Sequence, residues 1–478
     1  MVGPHLLPCE TPEAERAREA APPSRWVLPA TILGSSLGFI DGSVVNVALP
    51  AIQSGLGAEL AAMQWMVNGY MLTLASLILL GGAAADRLGR RRVFLMGLIG
   101  FAAMSLACGM APSAGWLIAG RLAQGAAAAL LVPASLAIIG AAYSGEARGR
   151  AIGTWAAAGA LTTALGPLLG GWLVDTIGWR SIFFINLPLA AVAVWLALKL
   201  PSDSAMDAGK PLDLRGALLA ILGLGLLSYG LIALGSGQAL GGVIALALAI
   251  PAIWLFLEAE TQTNVPMMPL ILFRNETFAG ANALTVLLYA ALTGALFLLP
   301  FQLIRAHGYS ATAAGAAFLP FSIIMGLGSR WAGGLVGRMN ARLPLVIGPV
   351  LTAVGFSVLA ALGEVQSYWA GVFPGLVIVA VGMTLCVAPL TTTVFNSAPS
   401  ERSGAASGIN NAAARAGGLL AVAALGLAFG GTDVSSMEAT ALTDAYRLVM
   451  LGAATLAALS ALTAVLTIRP QSEQRESK

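Results

Sequence analysis

Charge is scarce in this chain: 10% of its 478 residues are charged, against roughly 25% in an ordinary soluble domain. With 58% hydrophobic residues there is too little polar surface to wrap one water-soluble core, because such cores stop growing near about 250–300 residues. Histidine is nearly missing. His5 and His307 both lie outside the apolar stretches, which excludes a histidine-rich metal site and leaves no soluble catalytic triad. The three cysteines, Cys9, Cys108 and Cys386, are scattered without metal or redox spacing. No Gly-xxxx-Gly-Lys-Ser/Thr loop occurs, so no nucleotide-driven motor is encoded. A net charge of +3 is too small to argue for nucleic acid.

Long apolar runs are abundant. Crossing roughly 30 Å of hydrocarbon takes about 20 apolar residues, and fourteen stretches qualify. They lie near 28–49, 62–84, 93–111, 115–138, 151–174, 181–200, 214–234, 240–257, 277–301, 312–332, 344–362, 368–394, 405–428 and 444–467. Residues 1–26 are polar and lack the basic-then-apolar order of a cleaved signal, so they read as a cytoplasmic tail ahead of an uncleaved signal anchor. With that tail inside, the inner segments carry 20 lysines and arginines and the outer segments three. Basic residues are retained on the cytoplasmic side, so both termini are expected there, in the bacterial inner membrane.

Asp41, Arg121 and Arg415 are the charged residues well inside apolar spans. Each costs about 2.5–3.5 kcal/mol at a helix centre on insertion scales, and such residues normally face a cavity or a partner. An internal echo adds organisation. Gly82-xxx-Asp86-Arg87 follows the second span and Gly333-xxx-Gly337-Arg338 follows the tenth, 251 residues later. Two parallel six-helix halves with two extra helices between them explain the spacing. The expected division is a tail at 1–26, a six-helix bundle at 27–200, a two-helix linker at 201–275, a second bundle at 276–468 and a tail at 469–478.

Several motifs sit at defined places. Asp41-Gly42-Ser43-Val44-Val45-Asn46 lies in the first span. Gln64-Trp65-Met66-Val67-Asn68-Gly69-Tyr70 opens the second. Gly82-xxx-Asp86-Arg87-x-Gly89-Arg90-Arg91-Arg92 joins the second to the third. Leu117-xxx-Arg121-xx-Gln124-Gly125 lies in the fourth, and Gly166-Pro167-Leu168-Leu169-Gly170-Gly171 in the fifth. Trp179-Arg180-Ser181 through Asn186-Leu187-Pro188 opens the sixth, and Gly404 through Asn410-Asn411 opens the thirteenth. Together, over residues 38–425, they resemble the major facilitator superfamily in its fourteen-helix drug:proton antiporter branch.

The resemblance implies an all-α polytopic membrane fold of 14 helices arranged 6+2+6, and a secondary transporter, not an enzyme, without cofactor or metal. Its partners would be a small-molecule substrate, protons and the lipid bilayer, with no nucleic acid, and a monomer suffices. Asp41 and Arg121 are the expected proton-coupling pair. A carboxyl among apolar groups favours its neutral form, whereas a guanidinium cannot carry the proton itself. Counted along their helices the two lie at similar depth, but whether they face each other is open at this stage. Gly82, Asp86, Arg87, Gly89, Arg90 and Arg91 are the expected gating loop, with Gly82 allowing close helix approach and Asp86 placed to meet a helix N-terminus. Gly166, Pro167, Gly170 and Gly171 form the antiporter motif, whose glycines give a flat packing face. Asn46, Trp65, Asn68, Tyr70, Gln124, Asn410, Asn411 and Arg415 are the expected substrate cavity. Gln302 reads as a rim residue.

Each assignment has a plainer alternative: a helix–helix hydrogen bond for Asp41, carbonyl bracing for Arg121, packing for the glycines, interfacial anchoring for Trp65. The chain departs from some multidrug members in having no acid within its C-terminal spans. That weakens the case for divalent cations and leaves Asp41 as carrier of one proton. Uptake or facilitated exchange of a metabolite is the competing transport function. A membrane enzyme or sensor needs a soluble domain or clustered catalytic groups, and loops under about 20 residues supply neither.

Overall fold

The computed structural model describes residues 24–201, 212–263, 266–336, 341–399, 402–429 and 437–468. Residues 1–23 of the proposed N-terminal tail, the C-terminal tail, residues 202–211 and 264–265 of the linker and Gly337 of the second loop copy lie outside the described residues. The chain is helical throughout the described segments. In order, α1 is Val27–Leu56, α2 Leu60–Leu88, α3 Arg90–Gly109, α4 Ala114–Ala142, α5 Gly145–Thr176 and α6 Ser181–Ala197. There follow α7 Leu214–Gly235, α8 Ala239–Gln262, α9 Glu276–Phe301, α10 formed by Ala311–Ala316 with Leu319–Val336, α11 Arg342–Ala361, α12 Phe373–Asn396, α13 Ser403–Ala424 and α14 Ala439–Thr467. Thirteen of these are long and apolar enough to cross a membrane, and Ser181–Ala197 is a shorter apolar helix. It nevertheless runs the depth of the bundle, from Phe184 against Gly109 at one end to the Leu198 carbonyl, bonded by Arg91 at 2.9 Å, at the other.

The sequence accounts for these helices and their ends. Backbone groups in lipid have no water to bond, so each span satisfies its own. Interior prolines at Pro50, Pro133, Pro251, Pro349 and Pro389 are tolerated because hydroxyls and neighbouring helices take up the freed groups. Ser113, Asp213, Asn275 and Ser310 cap α4, α7, α9 and α10 by accepting from backbone amides. Leu240, Ile250, Trp254, Leu327 and Leu466 are among many large apolar side chains left exposed. A surface of that kind is compatible with lipid, not water.

Among α1–α6, α2 packs on α4, α1 on α5 and α3 on α4; among α9–α14, α11 packs on α12 and α14 and α9 on α13 and α14; these groups are called bundles below. The extra pair α7 and α8 pack on each other, and α7 leans on α2 and α13, bridging the seam between the bundles. Trp65 of α2 meets Tyr229 of α7 with ring centroids 6.4 Å apart, so it packs at this seam. Gln302 is no rim residue either. It is buried and donates to the Gly363 carbonyl and the Thr443 hydroxyl, at 3.1 and 2.9 Å.

The two bundles are held at the end of the molecule away from Trp26 and Thr467, here called the far face. Gln64 donates to the Val422 carbonyl at 2.6 Å, and Arg305 to Ser54 at 3.5 Å. Asp175, at the end of α5, accepts from the Thr312 amide at 2.7 Å and the Ala311 amide at 3.2 Å, and so caps α10 of the opposite bundle. Behind it the motif glycines act on two sides. Gly166 and Gly170 lie against Ser43 and Val44 of α1, and Gly171 lies on the backbone of Ala311 and Thr312. Gly315 returns the contact on the carbonyl of Pro167. A Cβ at Gly171 or Gly315 would strike backbone that cannot turn aside. Gly171→Val should therefore lower the midpoint of thermal unfolding and abolish transport, with a cost of about 1–3 kcal/mol for overpacking; an unchanged unfolding curve would show that the contact is slack.

Toward the opposite end α5 comes free of the other bundle, while α2 and α13 stay in contact at Leu79 and Gly408. Helix α5 is buried at Gly166, Pro167, Gly170 and Gly171 but exposed at Thr154, Ala156, Ala157, Ala160, Leu161 and Thr163. The molecule is thus shut at the far face and open toward the face carrying the Asp86 loop.

That loop differs from expectation in two respects. Asp86 belongs to the last turn of α2, not to a helix N-terminus, because α2 runs on to Leu88 and breaks only at Gly89, with φ of 92°. It pairs locally with Arg90 at 3.7 Å, while Arg87 is half-buried. The close helix approach falls on Gly81, whose Cβ would strike the Ala129 carbonyl. One at Gly82 would touch Pro133 at an ordinary 3.7 Å.

Candidate functional site

Asp41 and Arg121 face each other. Asp41 stands in α1 one turn before Val45, on the side turned into its own bundle, and is 1% exposed. Arg121 stands in α4 and is 2% exposed. Two close approaches bring its helix in. Gly125 lies against the Tyr70 carbonyl, where any side chain would collide, and Thr73 donates to the Leu122 carbonyl at 2.8 Å. With α4 pressed on α2, the Arg121 guanidinium reaches across to Asp41 Oδ2.

The neighbouring polar groups bond into the same site. Arg121 also donates to Gln124 Oε1 at 2.8 Å and, through Nε, to the Met66 carbonyl at 3.3 Å. Gln124 Nε2 donates to Asp41 Oδ1 at 3.0 Å and to Ser105 Oγ at 2.8 Å. Asn186 of α6 donates to Asp41 Oδ1 at 3.4 Å and to Ser105 at 3.2 Å. The Tyr70 ring covers the guanidinium, 4.2 Å from its centroid, a cation–π arrangement. Five helices, α1, α2, α3, α4 and α6, thus contribute to one sealed polar site.

A buried charge pair is tolerated when its desolvation is met by good geometry and further hydrogen bonds. This site meets both conditions, and it also offers alternatives: Arg121 can hold Gln124, Met66 and Tyr70 whether or not Asp41 is charged.

The expected cavity residues separate into groups. Gln124 is buried inside the Asp41 site instead of lining a cavity, because its place three residues after Arg121 turns it to the same partner. Tyr70 is the cover of that site. Asn46 is half-buried beside exposed Gly42, on a different face from Asp41. Asn410 donates to Thr285 at 2.7 Å and Asn282 at 3.3 Å on α9, and Asn411 is exposed. Asn68 is fully buried with neither amide atom bonded, and Arg415 is half-buried with its Nε unbonded. Ser105 was not singled out from sequence, and Asn186 entered only within the motif that opens the sixth span, with no role assigned. Asn186 had one signal, a carboxamide inside an apolar run; Ser105 had none, since serines recur throughout these helices. Among the described residues no group of His, Cys, Asp and Glu could hold a metal ion.

Comparison with known proteins agrees with this architecture. The Major Facilitator Superfamily pattern matches residues 31–422. The multidrug resistance protein Stp of Mycobacterium tuberculosis is 38% identical over 84% of this chain and 74% of its own length. The methylenomycin A resistance protein of Bacillus subtilis is 35% identical over 91% and 92%. The lincomycin resistance protein of Streptomyces lincolnensis is 33% identical over 96% and 93%. Among solved structures, a bacterial homologue of the human lysosomal transporter Spinster, in an inward-facing and unoccupied conformation, superposes with a TM-score of 0.65 at 18% identity, over 93% of this chain and 97% of its own. The inward-open xylose transporter XylE of E. coli gives 0.61 at 15%, over 94% and 98%. The chain belongs to the major facilitator superfamily, as a multi-pass membrane transporter and not an enzyme.

Proposed function

We propose that this transporter is a proton-coupled antiporter that exports small amphipathic molecules from a bacterial cell by alternating access. The observation that carries the reading is the sealed Asp41–Arg121 pair, held by Gln124, Asn186 and Tyr70 in one bundle. Its relatives bear resistance and export names, and the antiporter motif supplies the glycine face of α5.

On this reading the membrane is crossed fourteen times, with Ser181–Ala197 as the sixth crossing and α7 and α8 inserted between two six-helix halves. Both termini lie in the cytoplasm, so the state described is open inward. When the outer side opens, a proton displaces Arg121 from Asp41, and the guanidinium stays on Gln124, Met66 and Tyr70. Substrate leaves outward. On return to the inward-open state Arg121 reclaims the carboxylate and the proton departs to the cytoplasm. The Gly82–Arg91 loop acts in this change: Asp86, paired with Arg90 here, exchanges partners when the inner face shuts.

Direction is tested with purified protein in liposomes, an amphipathic dye of pH-independent charge and an imposed pH difference. Antiport drives dye into the more acidic compartment. Dye moving with the protons into the alkaline compartment would overturn the reading in favour of uptake.

A further inference from the structure

Arg415 is a cation without a counter-charge. It lies in the middle of α13, makes no ion pair among the described residues, and its Nε is buried without a hydrogen bond. A guanidinium is never neutral in a protein, so it cannot escape the cost of burial by losing its proton. The acids of the described spans do not reach it: Asp41 is held by Arg121, and Asp175 and Glu260 lie at helix ends.

A second group waits beside it. Asn68 of α2 is 0% exposed, and both its amide atoms lack partners among the described residues. Helices α2 and α13 run antiparallel across the seam between the bundles, since Gln64 meets Val422 and Leu79 meets Gly408. That register sets Asn68 and Arg415 about 5 Å apart along the helix axes, at 1.5 Å per residue. Asn411, one turn from Arg415 toward the open face, is exposed. Tyr70, two residues after Asn68 on α2, is the ring that covers Arg121.

We infer that Arg415 and Asn68 form a subsite for an anionic oxygen group, and that the substrates moved by the proposed transport cycle are amphipathic anions or molecules with an acidic oxygen. An oxyanion supplies the missing counter-charge, and the Asn68 amide adds a donor suited to it. The subsite rests on the transporter reading but not on proton coupling.

The test uses three probes of one shape: 2-naphthalenesulfonate, neutral 2-naphthalenesulfonamide and 2-naphthyltrimethylammonium. Equilibrium dialysis against the purified full-length protein in neutral detergent should show the sulfonate bound at least about tenfold more tightly than the other two. Arg415→Gln should erase the preference, Arg415→Lys should keep part of it, and Asn68→Ala should weaken sulfonate binding without changing that of the cation. In phosphatidylcholine vesicles with no pH difference, the wild type should carry sulfonate down its own gradient and Arg415→Gln should not. Equal binding of all three probes, a preference for the cation, an Arg415→Gln protein that retains its unfolding midpoint and still prefers sulfonate, or sulfonate bound but not carried would each overturn the inference. Because no pH difference is applied, failure of proton coupling alone leaves these results intact.

Discussion

Asp41→Asn is expected to reduce transport driven by a pH difference to the level of protein-free vesicles while leaving substrate-for-substrate exchange in place. Asparagine keeps the shape of the protonated acid and can accept from Gln124 and Asn186, which lie 3.0 and 3.4 Å from Oδ1 in the native site. It cannot bind or release a proton. The carrier should therefore still reorient with substrate bound, as the native protein does with Asp41 neutral. Two assays on one preparation separate the possibilities. Exchange without gradient-driven transport supports Asp41 as proton carrier. Full gradient-driven transport would remove Asp41 from the mechanism, and loss of both activities would assign it to structure alone.

The second large effect concerns stability and is a matter of charge balance. Arg121→Met leaves the Asp41 carboxylate buried with its cation gone. Breaking a buried pair from one side costs about 3–5 kcal/mol, a large fraction of the stability of a typical protein. Replacing both partners is different, because no unpaired charge remains and apolar substitution of a buried pair is often neutral. The double variant Asp41→Asn with Arg121→Met should thus unfold closer to the native midpoint than Arg121→Met alone. A Tm series in detergent across the four proteins measures the coupling, and strict additivity would mean that the pair contributes no interaction. The double variant should remain inactive in gradient-driven transport, so stability and coupling are read separately.

Much of the site could be read from the chain. Asp41 and Arg121 stood out because charge in an apolar run is costly, and counting residues along their spans put them at matching depth. That they face each other depends on helix rotation, set here by Gly125 against Tyr70 and by Thr73 on the Leu122 carbonyl, contacts between helices that no periodicity encodes. Gln124 was visible as a polar residue but placed in the cavity, because a position three residues from Arg121 fits either side of the same face. Ser105 reaches the Asp41 site from a helix whose composition gives no hint of it, and Asn186 from a quoted motif whose partner the sequence does not name. The glycines of α5 were legible as a packing face toward something. That Gly171 meets α10, about 140 residues later in the chain, belongs to the assembled pair of bundles. Trp65 was set against Tyr229 by the extra helices, whose docking place the sequence does not announce.

The glycine contact between α5 and α10 bears on how fast such a carrier can cycle. Where an interface closes through long side chains, each closure freezes rotamers, at up to about 1.5–2 kcal/mol for the most flexible types. Gly171 and Gly315 have no rotamers to freeze, and the backbones they meet are already fixed within helices. Asp175 brings one short side chain to the seam. At this contact, shutting and reopening therefore asks little side-chain ordering at each turnover, and what ordering the far face needs falls on Gln64 and Arg305. The seal is tight in shape yet nearly athermal in side-chain disorder, a combination suited to a joint that must come apart many times without repacking.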